Sequence, residues 1–195
     1  MARGSFDRLH FDGINHRTSF GFTLLEMLIA ITVMVVLAAA AAPSFSSLIE
    51  SNKVKRLATE IEWLLVQAKS EAVMRNIKLS VHYVRDDANE TAYQTDGAWV
   101  LAVTDSATSP ANITLAKADA IAMIDGKDFE HIAIKAKSTF VAHTIDPVRA
   151  TTNEKGSYVF YEDPAKAVKV IMDQRTGRVR VCGETGAYYN YEKCN

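Results

Sequence analysis

Three groups of residues in this 195-residue chain have types and spacings that bear on chemistry. Glu26 is a lone carboxylate in an apolar run, since from Phe22 to Ala42 only Thr23, Glu26 and Thr32 are polar. Cys182 and Cys194 are the only cysteines. Near the C-terminus Arg178 and Arg180 alternate with Val179 and Val181, and Arg175, Lys193, Tyr188, Tyr189 and Tyr191 lie close by in sequence.

A lone charge at the centre of a membrane helix costs roughly 2.5–3.5 kcal/mol on insertion scales, and less near a helix end. Glu26 must therefore snorkel to the headgroups, become protonated or find a cation. If residues 178–182 form a strand, Arg178 and Arg180 share one face and the valines the other. Their side chains then leave the backbone about 6.6 Å apart, a spacing that suits adjacent phosphates, while the tyrosines offer rings on which bases stack. A solvated strand face beside tyrosines that cover a sheet end describes the same residues without a ligand.

These groups need elements to hold them. A helix over residues 22–42 spans about 30 Å, the thickness of a bilayer core. A cleaved secretory signal has a shorter apolar stretch, about 7–15 residues, and a domain this small does not bury 21 almost wholly apolar helical residues. After Pro43 the pattern turns amphipathic: Val54, Leu57, Ile61, Leu64, Ala68 and Ala72 recur at steps of three and four, and Lys53, Arg56, Glu60, Lys69 and Glu71 avoid that stripe. This predicts a helix to about Arg75, continuous with the apolar segment and bent at Pro43. The stripe is too short and irregular for a coiled coil.

From Ile77 onward, alternating and β-branched runs are separated by Asp96-Gly97, Asp125-Gly126, Asp146-Pro147, Lys155-Gly156 and Thr176-Gly177. They predict strands over 77–85, 98–104, 129–135, 140–145, 157–161, 167–172 and 178–182. Residues 105–128 are poorly patterned and read as a loop with a short helix or strand. The expected class is α+β, a long N-terminal helix packed on an antiparallel, sandwich-like head. In outline, residues 1–21 form a leader, 22–42 a transmembrane helix, 43–76 an amphipathic helix and 77–195 the head.

Lys and Arg number 22 against 23 Asp and Glu, so anion binding must come from a local patch. Residues 164–195 supply one, with Lys166, Lys169, Arg175, Arg178, Arg180 and Lys193 against Asp173, Glu184 and Glu192. Two cysteines build neither a disulfide-dense miniprotein nor a four-cysteine zinc site, and His82, His131 and His143 show no ligand spacing. Nucleotide-binding loops, dinucleotide fingerprints, zinc-protease helices and nucleophile elbows are absent from the sequence. The carboxylate pairs Asp86-Asp87 and Glu162-Asp163 fall where predicted strands end and read as solvated turns. No catalytic residue, cofactor or metal is expected.

The N-terminal pattern resembles the type IV prepilin signature. A polar leader with Arg3, Arg8 and Arg17 ends in Gly21, an aromatic Phe22 follows, and Glu26 is fifth after the glycine. Pro43, twenty-second after Gly21, is another pilin feature. The leader is long, and Asp7 and Asp12 offset two of its arginines. The resemblance implies that a prepilin peptidase cuts between Gly21 and Phe22 on the cytoplasmic side and methylates the new amine. It also implies a single-pass inner-membrane protein with a periplasmic head. Glu26 would then pair with the Phe22 amine of a neighbouring pilin subunit. Removing one partner of a buried ion pair typically costs about 3–5 kcal/mol.

Trp99, the run Gly156-Ser157-Tyr158-Val159-Phe160 and the closing Thr176-Gly177-Arg178-Val179-Arg180-Val181 resemble heads of the GspH/FimT minor pilins and pseudopilins. That likeness implies a low-abundance filament subunit with no enzymatic activity. Within its FimT branch a Gly-Arg-x-Arg motif is associated with DNA capture in natural transformation. This makes Arg175, Arg178, Arg180 and Lys193 a candidate DNA-binding set. A periplasmic location makes a Cys182–Cys194 disulfide the expectation over two free thiols. Two roles stay open, a type IV pilus and a type II secretion pseudopilus, and the basic tail favours the pilus.

Overall fold

The computed structural model describes residues 21–86, 92–137 and 140–195, apart from the side chains of Ala42 and Pro43. Leader residues 1–20 and Asp87 lie outside the described residues. The chain divides into two compact units, the first ending at Pro43 and the second beginning at Ser44.

Helix α1 spans Leu24–Arg75. In the first unit its segment Leu24–Ala41 has a mean hydropathy of 2.5, and none of it is buried. In the second unit the predicted stripe Val54, Leu57, Ile61, Leu64, Ala68 and Ala72 is buried, and Ala58 and Leu65 join it. Each fully buried leucine or isoleucine contributes roughly 1.5–3 kcal/mol, so this face holds the helix to the head. The helix stops at Asn76, whose φ of 53° is left-handed. Ile77 N–H donates to the Ala72 carbonyl at 3.2 Å and Asn76 N–H to that of Val73 at 3.3 Å. Those bonds form a Schellman ending with Asn in the position that glycine usually takes.

Two antiparallel four-stranded sheets complete the head. The first has the order β3-β2-β1-β5, from β1 (Leu79–Arg85), β2 (Trp99–Thr104), β3 (Ala122–Asp125) and β5 (Ala142–Ile145). The second has the order β4-β6-β7-β8, from β4 (Ala133–Ala136), β6 (Gly156–Tyr161), β7 (Val168–Met172) and β8 (Val179–Gly183). Leu79, Val81, Tyr83, Trp99 and Leu101 from one sheet share a core with Ile134, Tyr158, Phe160, Val168 and Val170 from the other and with the stripe of α1. A short α2 (Ile113–Ala118) covers the far face of the first sheet, where Ile113 and Ala116 meet Val84, Val100 and Ala102.

The architecture is α+β, as expected. The poorly patterned stretch holds both a helix and a strand, α2 and β3. One predicted strand is displaced. The run read as 129–135 begins in a 3-10 turn over Gly126–Phe129, and β4 starts only at Ala133. His131 has a φ of 77°, and Ile132 N–H turns back to the Phe129 carbonyl at 3.1 Å. Phe129 is spent on the core instead: its ring lies 6.4 Å from that of Trp99, with the Arg56 guanidinium 4.9 Å from its centroid.

Candidate processing site and basic C-terminal surface

Gly21, Phe22 and Thr23 precede the first turn of α1 outside any helix or strand, and Phe22 is 77% exposed. Thr23 caps the helix: its Oγ1 accepts the Glu26 N–H at 3.1 Å, and its carbonyl accepts that of Met27 at 3.2 Å. Thr23-Leu24-Leu25-Glu26 therefore has capping-box spacing, with Glu26 in the first turn, where the helix dipole favours a carboxylate. Glu26 is exposed between Leu25 and Met27, and among the described residues no cation pairs with it. The cap was missed in the sequence, although its spacing was there to find.

At the other end of the chain Cys182 and Cys194 form a disulfide, with Cα atoms 5.1 Å apart. The closed tail is fastened on both sides. Gly183 N–H donates to the Glu192 carbonyl at 2.8 Å, and Cys194 N–H to that of Gly183 at 2.9 Å. Tyr189 OH donates to the Glu50 carboxylate of α1, which Lys166 Nζ approaches at 3.7 Å. Burial and this bond to Glu50 both push the Tyr189 phenol upward. Lys53 of α1 lies 3.7 Å from Glu162. These pairings clamp the β6–β7 turn and the tail to the helix.

Arg178 stands one residue before β8, not inside it. The expected alternation still holds, because Arg178 and Arg180 are exposed while Val179 and Val181 pack against the core. Asp173 shapes the turn: its Oδ1 accepts from Arg175 N–H at 3.0 Å, Thr176 N–H at 2.9 Å and Thr176 Oγ1 at 3.0 Å. Arg175 is thereby placed at the exposed turn, apart from the groove that collects Arg178, Arg180 and Lys193. The same groove contains Glu62 and Glu192, so its positive charge is partly offset. Of the tyrosines proposed to stack on bases, Tyr189 and Tyr191 are half-buried against the core, and Tyr188 OH is 3.0 Å from Thr185 Oγ1. They brace the tail.

The acidic pairs are structural where they are described. Asp86 accepts the Ile113 N–H at 3.0 Å, and Asp163 accepts that of Ala165 at 2.9 Å. Among the described residues no three His, Cys, Asp or Glu side chains gather as a metal site. His143 is buried with its ring stacked 3.7 Å from Phe140, and burial pushes its imidazole down to about 3.

Residues 16–42 match the prokaryotic N-terminal methylation motif. The chain thus carries that motif at the head of a membrane-length apolar helix. That motif on a long N-terminal helix, ahead of an antiparallel head, is similar to the type IV pilins. Two crystal forms of the type IV minor pilin FimU of Pseudomonas aeruginosa (strain PAO1) are similar in structure. One has a TM-score of 0.49 and 16% identity, with 67% of this chain and 97% of that chain covered. The other has a TM-score of 0.49 and 17% identity, with coverage of 69% and 90%. No curated protein matches this chain.

Proposed function

We propose that this protein is a minor pilin of a type IV pilus, of the GspH/FimT kind, and not a type II secretion pseudopilin. A prepilin peptidase cleaves it between Gly21 and Phe22 and methylates Phe22. The segment Leu24–Ala41 holds it in the inner membrane with the head in the periplasm, until assembly transfers that helix into a filament of other pilins. Glu26 then pairs with the terminal amine of a neighbouring subunit. The observation that carries this reading is the coincidence, within residues 16–42, of the methylation motif with an unburied apolar helix containing one carboxylate, Glu26, that no cation among the described residues pairs with. The head adds weak, sequence-independent capture of extracellular DNA through Arg175, Arg178, Arg180 and Lys193. The disulfide-closed basic tail supports a pilus over a secretion role.

Mass spectrometry of protein from sheared filaments tests the assignment. The expected N-terminus is methylated Phe22, and crosslinking should recover pilus subunits. A retained leader in assembled fibres, or partners drawn only from a secretion apparatus, would overturn it.

A further inference from the structure

The second sheet turns its inner face to the core through Ile134, Tyr158, Phe160, Val168 and Val170. Its outer face is set by register. Lys135 pairs with Val159, Val159 with Lys169 and Lys169 with Cys182. In the next row Ser157 pairs with Ile171 and Ile171 with Arg180, and Lys137 N–H extends that row by donating to the Ser157 carbonyl at 2.9 Å. Strands lie about 4.8 Å apart, so the basic side chains of β4, β7 and β8 fall within about 15 Å.

An open groove on this face is lined by Lys137, Lys155 and Lys169, with Glu184 and the Cys194–Asn195 end of the tail. The Arg178–Arg180–Lys193 groove has the same Cys194–Asn195 segment in its wall. The disulfide-held tail is therefore a ridge between two basic grooves. Acidic groups are present in each: Glu184 sits 3.1 Å from Lys169, and Glu62 and Glu192 line the arginine side. Neither groove alone carries a large positive excess. Lys137 and Lys155 are exposed, and Lys135 holds its ammonium 4.2 Å from the Tyr93 ring centroid.

We infer that the groove of Lys137, Lys155 and Lys169 is a second phosphate-binding track for duplex DNA, separated from the arginine track by the Cys182–Cys194 tail. This rests on the DNA-capture reading above and extends it to Lys137 and Lys155, which lie outside the basic stretch 164–195 in sequence. Contacts on two sides of a ridge engage backbone at two places, which gives affinity without base readout.

The test is fluorescence anisotropy of a labelled mixed-sequence duplex with the full chain in detergent micelles, across 50–200 mM salt. Lys137→Gln with Lys155→Gln should weaken binding and lower the salt slope by about two, since each lost phosphate contact removes about one. Lys137→Arg with Lys155→Arg should retain wild-type affinity. Loss of binding in Arg178→Gln/Arg180→Gln, with the lysine pair at wild-type affinity and slope, overturns the second track and leaves the DNA reading standing. No binding by the wild-type chain overturns both.

Discussion

The Lys69 ammonium donates to the Gly177 carbonyl at 2.7 Å, tying the last two turns of α1 to the turn that presents Arg178. Gly177 has a φ of 61°, and a Cβ there would lie 2.2 Å from the Ala150 carbonyl oxygen. The glycine of the Gly-Arg-x-Arg segment is thus fixed by backbone conformation and close approach, whether or not the arginines bind anything. The arginines inherit their position from an interior contact.

Removing the lysine should therefore loosen the turn without touching the arginines. Lys69→Met is expected to destabilise the head by about 1.5–3 kcal/mol, the usual range for a hydrogen bond to a charged group. Gly177→Ala should destabilise at least as much, through strain and collision. Thermal melting of the full chain in micelles measures both, and a Lys69→Met melt that overlays the wild type would refute the anchoring role.

His143 makes head stability depend on pH. Its imidazole is neutral when folded, and burial with the nearby His82 holds its pKa down to about 3, against an ordinary value near 6.5. Between those values the unfolded chain binds a proton that the folded chain does not. Stability is full above about pH 6.5 and falls as pH drops toward 3, by up to about 1.4 kcal/mol per pH unit. His143→Leu should flatten most of that slope, and the residue should come from His82, which burial also shifts downward. Urea titrations at pH 7, 5.5 and 4.5 would show it; parallel losses in wild type and variant would contradict the assignment.

Periodicity made the helical half of this molecule legible. Every residue of the predicted stripe from Val54 to Ala72 is buried, because a step of three or four leaves a helix only one way to face a core. Strand existence was nearly as clear. The displaced 129–135 run was not, since the left-handed backbone at His131 has no sequence mark of the kind glycine provides. The role of Gly156 was equally hidden: a Cβ there would sit 2.1 Å from the Phe140 ring, a partner 16 positions earlier. The same limit applied to the basic surface. Arg178 and Arg180 are visible as a local alternation, whereas Lys137, Lys155 and Lys169 meet only through strand register.

Opening the Cys182–Cys194 bond should cost about 3 kcal/mol, the chain-entropy value for a loop of some 13 residues. The tail is also held by Tyr189 on Glu50, so it should stay attached to α1 at that point while its last residues become mobile. Cys182→Ser/Cys194→Ser is therefore expected to lower the melting temperature and to weaken DNA binding more than it perturbs the core. Near-ultraviolet circular dichroism of the buried aromatic cluster, recorded beside anisotropy, separates the two effects. Equal loss of both signals would mean that the bond supports the whole head and not the ridge.

Processing and assembly should separate at the N-terminus, because they ask different things of neighbouring residues. Cleavage after Gly21 needs an accessible chain, and residues 21–23 are exposed and precede the helix. Among the described residues no heavy atom beyond its chain neighbours lies near where a Gly21 Cβ would stand, so a substitution there meets none of them. Gly21→Val is expected to leave the head folded but to retain the leader, read as a band heavier by about 2 kDa. Glu26→Gln keeps the spacing of the Thr23 cap and removes the charge. It should be cleaved normally yet fail to enter filaments, since an incoming terminal amine would lack its counter-ion in an apolar core. Shearing followed by immunoblotting distinguishes the two, and a Glu26→Gln subunit found in filaments at wild-type abundance would remove the charge pair from the assembly mechanism.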